Sequence, residues 1–145
     1  MKYSTGKMER VFAITIEHGE SAVEQLAKLA RKENIRNGYI FILGALGSGR
    51  VVTGPQDLSL PTVPMWGDFA DVREVVAFGS VSWKDDAPKT HLHVVAGRGG
   101  DTLVGCLREG GKAHILLEAV LFETQFDDLS REFDEGLGAW MPKHG

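Results

Sequence analysis

The segment Thr90 to Ala96, THLHVVA, carries His91 and His93 two residues apart in a run that otherwise suits a buried strand. Residues i and i+2 of a strand project to the same face, so both imidazoles point the same way. The pair Gly99–Gly100 follows shortly after. Glycines accept the positive φ angles of a tight hairpin turn. If they form the centre of an even-length loop, position 97 faces 102, 95 faces 104 and 93 faces 106. Cys106 then stands across from His93, and Arg108 across from His91. An odd-length loop or a bulge would slide this register by one and turn Cys106 away. Opposed residues have Cβ atoms about 4.5–5.5 Å apart, close enough to share a metal ion. Two imidazoles and a thiolate are ligands that zinc favours, and three protein ligands leave a fourth position open. Zinc held by His91, His93 and Cys106 would polarise a carbonyl or lower the pKa of its water toward ~7. In the competing reading the histidines hydrogen-bond in a core or subunit interface, and Cys106 is a small buried hydrophobe.

Other chemistry-bearing residues suggest less. His114 and Glu118 share strand parity, as expected on the solvated face of an antiparallel strand. The segments GSGR (Gly47 to Arg50) and GRGGD (Gly97 to Asp101) lack both the P-loop lysine and the G-x-G-x-x-G spacing, so they read as turns. No nucleophile-elbow signature is visible. Cys106 as a nucleophile would need an exposed electropositive setting, whereas its strand position predicts shielding.

The elements that must position these residues follow from periodicity. Arg10 to Glu17 alternates as a strand, with Phe12, Ile14 and Ile16 on one face. Ser21 and Glu24 spell a capping box that opens a helix. Val23, Leu26, Ala27 and Ala30 form its apolar stripe, and Lys28, Arg31 and Lys32 suit its C-terminal dipole. The continuous apolar run Tyr39 to Leu43 predicts a strand covered on both faces, punctuated by GALGSG. Residues 54 to 72 read as irregular because Pro55, Pro61 and Pro64 interrupt pairing. Further strands are expected over Glu74 to Trp83, with Gly79 a bulge or close approach, Thr90 to Ala96, Thr102 to Arg108 and, after an EGGK turn, His114 to Phe126. The acidic tail from Asp127 is expected to be a short docked helix or a frayed end. The expected fold class is α+β: one domain over 1–145, with a core of about 10–126 and a mostly antiparallel, curved or barrel-like sheet of six or seven strands carrying one main helix.

Composition bounds the rest. The 145 residues are 43% hydrophobic, enough for a packed core. A net charge of -4 gives no general attraction to polyanions, so DNA binding would need a local basic patch. A single cysteine excludes an intramolecular disulfide and suits a reducing compartment. The N-terminus lacks a signal-peptide apolar stretch, and no run is long enough to cross a bilayer, so the expectation is a cytoplasmic protein without a membrane partner.

The motif order resembles a known family. GESAVEQLAKLARKENI, then GYIFILGALGSGRV, EVVAFGSVSW, THLHVVAGRGGDTLVGCLREG and a long apolar strand are similar to the plants-and-prokaryotes conserved (PPC) domain, from about Arg10 to Phe126. The most specific element is HLHV followed by a glycine-rich hairpin and the segment GCLREG. The family commonly has a histidine where this chain has Cys106, which exchanges one ligand type for another. The resemblance implies a helix against an antiparallel sheet and a homotrimer. It also implies DNA association or a regulatory role, although the AT-hook that precedes the domain in plants is absent from this sequence. The functional expectation is therefore a trimeric PPC-domain protein, DNA-binding or regulatory, with a zinc site at His91, His93 and Cys106. The alternative is a metal-dependent enzyme or small-ligand binder using the same three residues.

Overall fold

The computed structural model of the chain describes residues 1–145. It contains β1 (Gly6–Glu17), α1 (Ala22–Lys32), β2 (Gly38–Pro55), β3 (Pro64–Phe69), β4 (Arg73–Lys84), β5 (Ala87–Arg98), β6 (Asp101–Phe126), β7 (Leu129–Asp134) and β8 (Ala139–His144). The first six strands form one antiparallel sheet in the order β1-β6-β5-β4-β2-β3. Strand β6 also pairs with β2, from Gly38↔Glu123 to Val52↔Cys106. Strands β2, β4, β5 and β6 thus form a circuit of pairing, a curved sheet folded over itself rather than a regular barrel. No helix is long and apolar enough to cross a membrane.

Helix α1 starts where its cap predicts. Ser21 Oγ accepts from the Glu24 amide at 3.4 Å. It also donates to the Gly110 carbonyl at 3.0 Å, fastening the helix start to β6. Glu24 does not complete the reciprocal box; Glu20 instead accepts from the Glu17 amide at 2.9 Å. Leu26 and Ala30 are fully buried among Ile16, Ile40, Leu92, Val94, Leu117 and Leu121. One short helix therefore covers one face of the sheet, and the other face, beyond the end beside the C-terminal hairpin, is left without a cover from this chain.

That asymmetry corrects the expectation for the Tyr39 to Leu43 run. Ile40 and Ile42 are buried against the helix side, but Phe41 is 51% and Leu43 55% exposed. Other expectations also change. GALGSG does not end a strand, because Gly44 at φ 129 and a series of register shifts let β2 bend and continue through Pro55. EGGK is likewise no hairpin: Gly110 (φ 73) and Gly111 (φ 62) bend β6 without ending it. Within the supposedly irregular segment, Pro64–Phe69 pairs with β2 as an edge strand, where a first-position proline loses no ladder bond. The tail is neither helical nor frayed. Strands β7 and β8 form a hairpin in which Phe133 packs on Trp140. Eight strands result instead of six or seven.

Candidate metal centre

The hairpin between β5 and β6 turns on Gly99 and Gly100, and its register runs Arg98↔Asp101, Gly97↔Thr102, Val95↔Val104 and His93↔Cys106. The even-length arithmetic therefore holds as far as Cys106. The ladder ends at Leu92↔Leu107, so the expected His91–Arg108 pair is not formed as a strand pair. Cys106 also faces Val52 on β2 and is buried, while both histidines lie on the open face.

The ligand atoms of His91, His93 and Cys106 all lie within 4.8 Å of one another. The two Nε2 atoms are 3.2 Å apart, with the rings set edge to face. Zinc–nitrogen bonds of 2.0–2.1 Å in a tetrahedron require donors about 3.3 Å apart, so the imidazoles already stand at the right edge length. The donor set fits a zinc-like ion. Residues of this chain would occupy three positions, and the open face would supply the fourth.

Electrostatics set the protonation states from which such binding starts. Desolvation of its ring, then the neighbouring His93, Arg108 and Arg131, pull the pKa of His91 below its ordinary 6.5. The imidazole is thus neutral, the form that ligates, at neutral pH. Burial pushes the Cys106 thiol above 9.0, with Arg108 opposing the shift. The thiol is therefore protonated at neutral pH and must lose that proton to bind metal. Zinc binding at pH 7 is expected to release about one proton per site, and apparent affinity should rise about tenfold per pH unit toward the thiol pKa. Calorimetric titrations in buffers of different ionisation enthalpy measure the release; no buffer dependence would contradict it. His91 adds no release above its ordinary pKa, since it is already neutral there.

Strand β4 flanks the site within the sheet. Phe78 pairs with His93, Gly79 with Leu92 and Ser80 with His91. Gly79 is a close approach, not a bulge: a Cβ there would run into the His91 carbonyl oxygen and the Leu92 side chain. Gly79→Ala should push β5 off β4. The expected cost is about 1–3 kcal/mol of stability, read by urea unfolding.

The other histidines do not join the centre. His114 packs edge-on against His18 at 5.5 Å, and His18 Nδ1 accepts from the Ile115 amide at 3.1 Å. Glu118 is exposed between Thr15 and Leu43 in the sheet and makes no hydrogen bond to His114. The reading of Glu118 as a solvated residue therefore holds.

Residues 3–125 match the Plants and Prokaryotes Conserved (PCC) domain, the family also written PPC. This chain belongs to that family. Solved structures share the fold of this PPC chain at low identity. A metal-containing protein from Archaeoglobus fulgidus has 23% identity and a TM-score of 0.85, covering 97% of this chain and 98% of the other. A PPC protein from Pyrococcus horikoshii has 24% identity and a TM-score of 0.81, covering 97% of each chain. A candidate DNA-binding protein from Bacteroides thetaiotaomicron has 19% identity and a TM-score of 0.77, covering 96% and 97%. No curated protein matches the sequence.

Proposed function

We propose that this PPC protein is a metal-binding homotrimer in which His91, His93 and Cys106 hold a zinc ion on the sheet face that meets neighbouring subunits. The observation that carries the reading is the convergence of three ligand atoms within 4.8 Å on the uncovered face. Around them, Phe41, Leu43, Val76, Phe78, Val95 and Val104 present an exposed apolar surface that a monomer would leave in water. The metal-containing description of the Archaeoglobus fulgidus neighbour agrees with the donor set. Zinc so held supplies Lewis acidity toward whatever group enters the open position. The side chains hold the donors in register, and the apolar surround limits water. Elemental analysis of protein purified without chelators or a metal-affinity tag tests the metal: about one zinc per chain is expected from a three-ligand site with one open position, and its absence after zinc addition removes the reading. Sedimentation equilibrium tests the assembly.

A second reading, DNA association, is supported by the DNA-binding descriptions of neighbours from Bacteroides thetaiotaomicron and Ralstonia eutropha. The net charge of -4 per chain opposes it, because duplex binding is built from many phosphate contacts. A gel-shift titration at low and physiological salt decides it; no salt-sensitive shift eliminates DNA.

A further inference from the structure

The C-terminal hairpin closes one side of a cleft that no part of the zinc reading uses. Its cavity of about 470 Å³ lies between the α1–β2 connection with the start of β2, the C-terminal end of β4, the end of β6 and the hairpin. That volume is in the range of small-molecule sites. Its lining has an unusual charge pattern. The chain carries 20 acidic residues, yet none of the 15 lining residues is Asp or Glu. Arg36, Arg131 and His144 do line it.

Neither arginine is neutralised. Arg10, Arg50, Arg73 and Arg98 face carboxylates, whereas Arg36 and Arg131, like Arg31 and Arg108 outside the cleft, have none within ion-pair distance. Both are nevertheless held in place. The Arg36 guanidinium lies 3.9 Å over the Trp83 ring and bonds Asn34 at 3.0 Å. Arg131 donates to the Trp140 carbonyl at 3.3 Å. A guanidinium has five N–H donors, so each keeps several free. His144 spends Nδ1 on Ser4 at 2.8 Å, leaving Nε2 unused. Thr124 Oγ1, also in the lining, is shielded from solvent and has no hydrogen-bond partner. Anchored cations with unspent donors are a preformed receptor for an anion. Tyr39 and Phe126 supply apolar wall to the same cavity, beside the Trp83 ring that carries Arg36.

We propose that this cleft binds a small phosphate monoester with a planar organic body, its phosphate taken by Arg36 and Arg131 and its body laid on the aromatic wall. Phosphate is favoured over carboxylate because its three terminal oxygens can use two guanidinium forks and the remaining donors together. A small molecule is favoured over a nucleic-acid backbone because both cations line one recess and no further unpaired Arg or Lys lines it. The cleft adjoins the metal centre, since its Ser80 pairs with His91 across the β4–β5 ladder. It shares no donor with that centre, so it stands without the metal.

The test is calorimetric titration of the full chain, with and without zinc, using adenosine 5′-monophosphate, inorganic phosphate and adenosine, with short duplex DNA at physiological salt as a fourth arm. The monophosphate should bind, phosphate more weakly, and adenosine at least about tenfold more weakly than the monophosphate. Arg131→Gln and Arg36→Gln should each weaken the monophosphate about 10- to 100-fold, the loss expected for one charged hydrogen bond. Both variants should keep the parental circular dichroism, and Arg36→Gln, which carries no charge acting on His91, should also keep the parental zinc content, so a failure here is separable from a failure of the metal site. Three results would each overturn the proposal: no heat at millimolar monophosphate, equal binding of adenosine, or unchanged affinity in both variants. Duplex DNA bound through the same arginines while the monophosphate stays silent would also overturn it.

Discussion

Under the proposed zinc site, His93→Ala is expected to purify with little zinc against about one ion per parent chain, and its zinc affinity is expected to fall by at least about 100-fold. His93 is the central member of the triad. It pairs with Cys106 across β5–β6, and its Nε2 stands 3.2 Å from that of His91. Removing it leaves one imidazole and one buried thiol, too few to compensate for stripping water from the ion. Apparent zinc binding in structural sites is worth about 10–16 kcal/mol over a full ligand set, so one lost ligand removes several kcal/mol. His93 is largely exposed, so the alanine variant should fold, and circular dichroism controls for that. Cys106→Ser should lose zinc comparably, because a neutral hydroxyl is a poor ligand. Cys106→His should retain zinc and abolish the thiol's proton release. Competition titration against a chromophoric chelator reads all three affinities. A His93→Ala chain with unchanged zinc content would place any metal elsewhere.

Phe78→Glu is expected to convert the proposed trimer to single chains. Phe78 is 49% and Phe41 51% exposed, and their rings pack 4.9 Å apart. Phe41 pairs with Phe78 on one side and Val120 on the other, while Phe78 pairs with His93. This row runs across four strands and joins the metal ligands to the apolar face. A carboxylate at its centre would have to be buried without a partner on assembly, at a cost of several kcal/mol per interface. The isolated subunit loses little, since the site is already half open to water. Sedimentation velocity distinguishes one chain from three. A parent that runs as one chain refutes the trimer, and a variant that stays at three chains places the interface elsewhere. If the open zinc position is completed across that interface, Phe78→Glu will also weaken zinc. If the site is internal to the chain, affinity will not change.

The pieces legible in the sequence were those set by local rules. The Ser21 cap, the stripe Leu26 and Ala30, and the alternation that buries Leu92 and Val94 while turning His91 and His93 outward all follow from periodicity. The site was legible for the same reason: a Gly-Gly turn has few geometries, and one of them puts Cys106 against His93. Glycine was misread wherever it bends a strand instead of ending it. Gly44, Gly110 and Gly111 occupy positive-φ backbone, yet the chain continues as strand because a partner strand keeps supplying hydrogen bonds on the far side of each bend. The tail was misread because its hairpin is held by Phe133 against Trp140 and by Lys84 over the Trp140 ring, contacts that no local pattern announces.

By itself the sequence determined the helix, the main strands, the family and three metal-ligand candidates, because each depends on neighbours a few residues away or across one tight turn. Only the tertiary structure decided which face of β2 stays uncovered and how β6 spans both β5 and β2. Only it brought Arg36 and Arg131 to one recess across 95 residues of chain. Those outcomes depend on how a single short helix, covering one side of a bent sheet, distributes burial among segments far apart in sequence.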